Sequence, residues 1–145
     1  MIALITLPAE IRFIRLASLT ALKVAEIFSD SLNTKQSGED FCHAFELSVS
    51  EAFTNSVRYA DPSGVDNMIT LSFSSDNNKL TVSISDSNPP FNPDPTPVDI
   101  TNYPEKGFGL LLIRQLMDSV SYSREQGTNR ISMTKQTDIT EYHNP

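Results

Sequence analysis

Two short stretches, MITLSFS (residues 68–74) and KLTVSIS (residues 79–85), alternate apolar and polar residues without interruption. Successive side chains of a β-strand point to opposite faces. Ile69, Leu71 and Phe73 therefore share one face of the first stretch, and Leu80, Val82 and Ile84 share one face of the second. SDNNK between them reads as a turn, so the pair is a hairpin with one apolar face. A two-stranded hairpin is not stable in water by itself. Its apolar face needs more strands beside it and a layer over it, and this requirement restricts the fold more than any other feature of the chain.

Helical periodicity supplies the layer. Residues 9–29 follow the short strand MIALITLP and carry two adjacent apolar stripes at about 100° per residue. One holds Ile11, Ile14, Ser18, Ala21, Leu22, Ala25 and Phe28; the other holds Phe13, Leu16, Ala17, Thr20, Val24 and Ile27. A helix apolar over so much of its circumference is expected to be covered on two sides. One sheet face covers a single stripe, so Phe13, Leu16, Val24 and Ile27 are expected to meet a second copy or a partner helix. After the polar SLNTKQSGED, a second helix is expected from about Glu39 to Ala60, with Phe41, Phe45, Val49, Ala52 and Phe53 inward. DPSGVDN ends it.

The segment DSNPPFNPDPTPVDITNYPEKGFG holds six of the nine prolines. No regular element survives that density, and an unstructured segment of this length is more often a lid than a connection. LLLIRQLMD reads as a helix starting at or just after Gly109. SVSYSRE and NRISMTK read as a last strand pair around Gly127, and TDITEYHNP as a frayed tail. The order strand, helix, helix, strand, strand, lid, helix, strand, strand implies a two-layer α+β sandwich: a mixed, mostly antiparallel sheet with helices on one face. All 145 residues form one domain, with the lid at about 91–107.

A net charge of −7 argues against nucleic acid or an anionic membrane as the main partner, but not against nucleotides, which local groups bind. A single cysteine, Cys42, leaves no disulfide framework and suits a reducing compartment. No apolar run reaches the ~18 residues of a membrane span. MIALITLPAEIRF has no basic region before its apolar stretch, so no signal peptide is expected and the cytoplasm is the expected location.

Three local features carry chemistry. Glu51 and Asn55 stack one helical turn apart at the border of the buried face. A neutral amide oxygen suits Mg²⁺ and a carboxylate can accept a proton, although a solvated helix shows such pairs too. Asp86 ends an apolar strand, where an acceptor can take an exocyclic amino group; a strand-ending Asp before a proline turn looks the same. Gly107 and Gly109, beside Lys106, adjoin a helix start, where backbone N–H groups attract phosphate. Cys42 reads as a small buried hydrophobe, His43 as a rim residue, and Met68, Met117 and Met133 as core filling. Arg58 and Arg114 read first as solvated ion pairs.

In this order and spacing, ELSVSEAFTNSVRYA, SDSNPPFNP and GFGLLLIRQLMD resemble the boxes of the GHKL (Bergerat-fold) ATPases. With LPAEIRFIRLA and GTNRISMTK the likeness covers nearly the whole chain. It is strongest to the stand-alone anti-sigma factor serine/threonine kinases. The resemblance implies ATP or ADP with Mg²⁺ as cofactors. Asn55 would be the metal ligand, Glu51 the base that activates the attacking hydroxyl, and Asp86 the acceptor for the adenine amino group. It also implies nucleotide contacts from Asn88 and Phe91, and a phosphate-side lid formed by Lys106, Gly107, Phe108, Gly109 and Leu110. The implied partners are a sigma factor and a STAS-type anti-anti-sigma factor, which would be phosphorylated on serine or threonine, and the implied assembly is a homodimer. Two positions depart from the family pattern. Asn88 stands at the glycine of D-x-G-x-x-F, where a left-handed backbone is expected, and Glu105 stands at an earlier glycine of the second box. They keep open the alternative of a nucleotide-dependent binding module with weak or no kinase activity.

Overall fold

The structure, a computed structural model, describes residues 1–32, 38–60, 67–88 and 106–137. The elements follow the expected order: β1 (Ala3–Pro8), a 3₁₀ turn (Ile11–Phe13), α1 (Ile14–Ser31), α2 (Gly38–Arg58), β2 (Met68–Asp76), β3 (Lys79–Asp86), α3 (Lys106–Leu116), β4 (Ser119–Glu125) and β5 (Thr128–Gln136). The strands form one sheet in the order β1-β2-β3-β5-β4. All four pairings are antiparallel, so the mixed component of the expected sheet is absent among the described residues. The chain leaves β3, returns at the far edge as β4, and turns back as β5 into the gap beside β3.

The two hairpins are tight. Asp76 pairs with Lys79, and Asn77 takes φ 54° between them; Glu125 pairs with Thr128, with Gln126 at φ 51° and Gly127 at φ 78°. Positive φ at both central residues of the second turn matches the right-handed twist of the strands it joins. Ile69, Leu71, Phe73, Leu80, Val82 and Ile84 are all at most 1% exposed on the covered face. The opposite face is lined by hydroxyls that pair across strands, Thr6 with Thr70, Thr81 with Thr134 and Ser83 with Ser132.

α1 packs against α2, and Ala17, Ala21 and Ala25 of α1 are each fully buried. The rings of Phe28 and Phe41 stack at 5.9 Å, and Phe41 meets Phe45 edge-on at 5.0 Å. This corrects the expected second stripe of α1. Val24 is 8% exposed and part of the core, and Phe13 packs against that core, so this side of α1 is largely covered within the same chain. Only Leu16 and Ile27 of that stripe remain outside, 47% and 66% exposed.

Two further expectations change. Met117 and Met133 are buried as expected, but Met68 opens β2 opposite Pro8 and is 42% exposed. α3 starts at Lys106, three residues earlier than expected, so Gly107 and Gly109 lie within its first turn rather than before it. The unpaired N–H groups of a helix start therefore belong to the glycine segment itself. Most of the expected lid, with Phe91 and Glu105, lies outside the described residues, as does the tail beyond Thr137.

Candidate functional site

α2 is buried along most of its length, and Asn55 and Ser56 are buried with its apolar residues. Glu51 is partly buried one turn before Asn55. Neither side chain has a hydrogen bond or ion pair among the described residues, although Asn55 is only 9% exposed. The Asn55 amide is not among the fully buried unpaired groups, so it stays open to a ligand at the seam. Both groups face the first turn of α3. A Cβ on Gly109 would lie 2.8 Å from Glu51 Oε2 and 3.6 Å from Asn55 Nδ2, so α3 seats against the pair with no side chain between them.

Asp86 ends β3 at 7% exposure, and its carboxylate is held from three sides. Ser56 Oγ donates to Oδ2 at 2.7 Å; the Asn88 backbone N–H and Asn129 Nδ2 donate to Oδ1 at 3.0 and 2.9 Å. A carboxylate has about four acceptor positions, so Oδ2 keeps one for a ligand donor. Asn88 stays outside the left-handed backbone region that its glycine position led us to expect. Its side chain instead donates to the Ser56 carbonyl at 2.7 Å and ties the turn after β3 to α2.

Two spaces adjoin the α2–α3 seam. The first lies among Ala52, Asn55, Ser56, Ile84, Asp86, Leu110, Asn129 and Ile131 and measures about 10 Å³, room for one water. Leu110, 7% exposed, forms part of its wall. The second is an open groove of about 660 Å³ bounded by Glu51, Thr54, Arg58, Gly109, Leu112 and Gln115. Asn55 lines the first and Glu51 the second.

The structure thus brings Glu51, Asn55, Gly109 and Leu110 to one seam and sets Asp86 and Asn88 at its deep end. The backbone of Lys106, Gly107 and Phe108 continues α3 away from Gly109. Ser56 and Asn129 were missed by the sequence reading. Ser56 follows Asn55 directly and had a local signal; Asn129 becomes visible only once β5 is set beside β3. Cys42 and His43 behave as expected. Cys42 is buried against Ser29, and burial raises its pKa. His43 is exposed between Glu39 and Glu46, and its hydrogen bond to Glu46 raises its pKa. Arg58 and Arg114 are exposed on α2 and α3.

The site therefore sits in a two-layer sandwich, with an acceptor at a strand end, a Glu–Asn pair on the covering helix and a glycine-opened helix against them. The chain belongs to the histidine kinase-like ATPase domain family, which it matches over residues 15–135. Among curated proteins it is similar to the serine-protein kinase RsbW of Staphylococcus aureus, 33% identical over 138 residues, covering 88% of this chain and 82% of that protein. Among solved structures it resembles the RsbU and RsbW domains of a Mycobacterium tuberculosis protein (TM-score 0.56, 16% identity), covering 93% of this chain and 32% of that one. It also resembles the histidine kinase domain of a blue-light-activated kinase from Erythrobacter litoralis (TM-score 0.53, 16% identity), covering 83% of this chain and 61% of that one. At these identities the two structures support the fold alone. Among the described residues no helix is long and apolar enough to cross a membrane.

Proposed function

We propose that this chain is an ATP-binding anti-sigma factor and protein serine/threonine kinase that phosphorylates a STAS-type anti-anti-sigma partner and so regulates transcription by partner switching in the cytoplasm. The observation that carries the reading is the Glu51–Asn55 pair, left without partners at the seam with Gly109. The donor set suits the ligands. Asp86 offers an acceptor in a narrow slot for the adenine amino group, and Asn55 offers a neutral oxygen to Mg²⁺. The metal, when bound, neutralises phosphate charge. Glu51 receives the proton of the acceptor hydroxyl. The slot beside Asp86 is far smaller than a purine, so the Leu110 side chain on its wall turns aside when the base enters. Incubation with labelled ATP, Mg²⁺ and the STAS partner tests the reading. Nucleotide binding without transfer would leave the binding-module alternative, which Asn88 and Glu105 at glycine positions favour.

Gly109→Ala probes the seam. The added methyl meets Glu51 Oε2, the mobile end of a side chain, so the carboxylate yields rather than the fold. Alanine is about 1 kcal/mol better than glycine inside a helix, so stability is expected to hold. Phosphoryl transfer is expected to fall about tenfold, part of what a positioned base contributes, with ADP affinity within about twofold. Unchanged transfer would show that Gly109 and Glu51 separate during turnover.

The homodimer is part of the same proposal. Leu16 and Ile27 are eleven residues apart, within about 20° of one another on α1. Leu16→Glu with Ile27→Glu is expected to give a folded monomer by sedimentation, where the wild type is a dimer at tens of micromolar. Val24 is unsuitable for this test, because a charge there would enter the core. A wild type that sediments as a monomer would end the homodimer reading.

A further inference from the structure

Three strands set one row of polar side chains across the covered face of the sheet. Asp86 on β3 pairs in register with Asn129 on β5, and Asn129 pairs with Arg124 on β4. The next row inward is Ile84, Ile131 and Tyr122, which closes the polar row off from the core. Asn129 is 2% exposed, and its amide is committed at both ends. Its two Nδ2 hydrogens go to Asp86 Oδ1 at 2.9 Å and the Asn88 carbonyl at 2.7 Å. Its Oδ1 accepts from Arg124 Nη1 at 2.7 Å and from the Tyr122 hydroxyl at 2.6 Å. Arg124 Nη1 also donates to the Asn88 carbonyl at 2.8 Å.

The arrangement has a direction. A cation sits at the carbonyl end of the Asn129 amide and a carboxylate at its N–H end, so the amide dipole is aligned between opposite charges. Hydrogen bonds to charged groups are stronger than neutral ones, and members of such a chain polarise each other. With both donors in place at Oδ1, a flipped Asn129 would turn its N–H groups toward Arg124 and its oxygen toward Asp86, which both charges oppose. Asn129 itself has no amide hydrogen left over for a base. Its part is to fix the Asp86 carboxylate and the Asn88 turn, and Arg124 at the sheet edge fixes Asn129.

We propose that Arg124, acting through Asn129, is a positioning residue for base recognition. It holds Asp86 so that the remaining acceptor position on Oδ2 points at an exocyclic amino group. The proposal rests on the reading of Asp86 as the adenine acceptor. It extends the nucleotide site to an edge strand that carries none of the family boxes.

The experiment is calorimetry on the full chain with two ligands, ADP and purine riboside diphosphate, which lacks the exocyclic amino group. Arg124→Met is expected to weaken ADP about tenfold, the effect of losing charge-assisted bonds in the relay, and purine riboside diphosphate less than about twofold. Arg124→Lys restores one donor of the two and is expected to recover part of the ADP affinity. Tyr122→Phe removes the second donor to Asn129 Oδ1 and serves as an independent variant, expected to show the same ligand selectivity with a smaller loss. Equal losses for both ligands would make Arg124 a structural residue only, and no loss for either would remove it from the site; each overturns the proposal. A wild type that binds ADP no better than purine riboside diphosphate would refute the role of Asp86 itself, and this proposal would fall with it.

Discussion

Glu51→Gln is expected to bind ADP as the wild type does and to lose phosphoryl transfer by roughly 10²–10⁴-fold, the usual contribution of a general base. Glutamine preserves the size of the side chain and its place against Gly109, so the α2–α3 seam keeps its shape. What it loses is the basic carboxylate that takes the proton from the acceptor hydroxyl. The carboxylate is partly exposed and has no partner among the described residues, so its removal orphans nothing. The change in stability is expected to stay within about 0.5 kcal/mol, as for substitutions away from networks. This separates the effect from that of a core or network mutation, which would lower the thermal midpoint and the rate together. Single-turnover transfer from labelled ATP, beside ADP calorimetry and a melting curve, gives all three readings. A Glu51→Gln protein that transfers phosphate at the wild-type rate would show that Glu51 is not the base, and the reading would then shift toward positioning by Asn55 and the metal alone.

Much of the fold follows from periodicities a few residues long. The alternation of Ile69, Leu71 and Phe73 against Leu80, Val82 and Ile84 needed no partner to be read, because a strand's two faces are written within the strand. The inward set of α2, Phe41, Phe45, Val49, Ala52 and Phe53, followed from helical spacing in the same way. The i, i+4 relation of Glu51 and Asn55 was equally local. The errors have a common origin in partners that are distant in the chain. Val24 looked like part of an unsatisfied stripe because nothing near it in sequence says that the core will enclose it. Met68 looked like core because its strand is apolar, yet it opens that strand beside Pro8 at the end of the β1–β2 ladder. The start of α3 was placed late because glycine argues against a helix by propensity. At Gly109 the approach of α3 to Glu51 overrides that preference.

The site divides along the same line. Asp86 was legible as an acceptor at a strand end, but what holds it was not. Asn129 is 43 residues away along the chain. Its pairing depends on β5 inserting between β3 and β4, a choice made by the whole sheet. Within the last hairpin the pattern was partly available. The turn at Gly127 pairs Arg124 with Asn129, and alternation places Val120, Tyr122 and Arg124 on one face of β4. A polar residue at the end of each inward row, at Asp86, Asn129 and Arg124, was the signal for a polar cluster at one end of the core. Asn88 shows the complementary limit. Its glycine position suggested a backbone role, and the structure gives it a side-chain role instead, because its amide reaches the Ser56 carbonyl.

Asp86→Asn is expected to lower ADP affinity by roughly ten- to a hundredfold, while Asp86→Ala is expected to destabilise the fold itself. Three donors converge on this carboxylate, from Ser56, Asn88 and Asn129. Alanine leaves all three without their acceptor in a region with room for at most one water. Each orphaned donor costs about 1–3 kcal/mol, so a loss of roughly 3 kcal/mol or more is expected. Asparagine can keep its oxygen where Oδ1 lies, still accepting from Asn88 and Asn129. Its NH₂ then stands where Oδ2 was, and the Ser56 hydroxyl turns to accept from it. The fold survives at a cost of about 1–3 kcal/mol, since a charged acceptor has become neutral. The purine slot now presents a donor where an acceptor stood. The adenine amino group meets a like partner, whereas the carbonyl of inosine diphosphate meets a complementary one. A site built to hydrogen-bond one group rejects the analogue that leaves its buried polar atoms unpaired. The ratio of IDP to ADP affinity is therefore expected to rise in the Asp86→Asn protein, with both affinities read by calorimetry against the wild type. A lower melting temperature together with unchanged affinities for both nucleotides would make Asp86 a purely structural carboxylate and move the base elsewhere in the molecule.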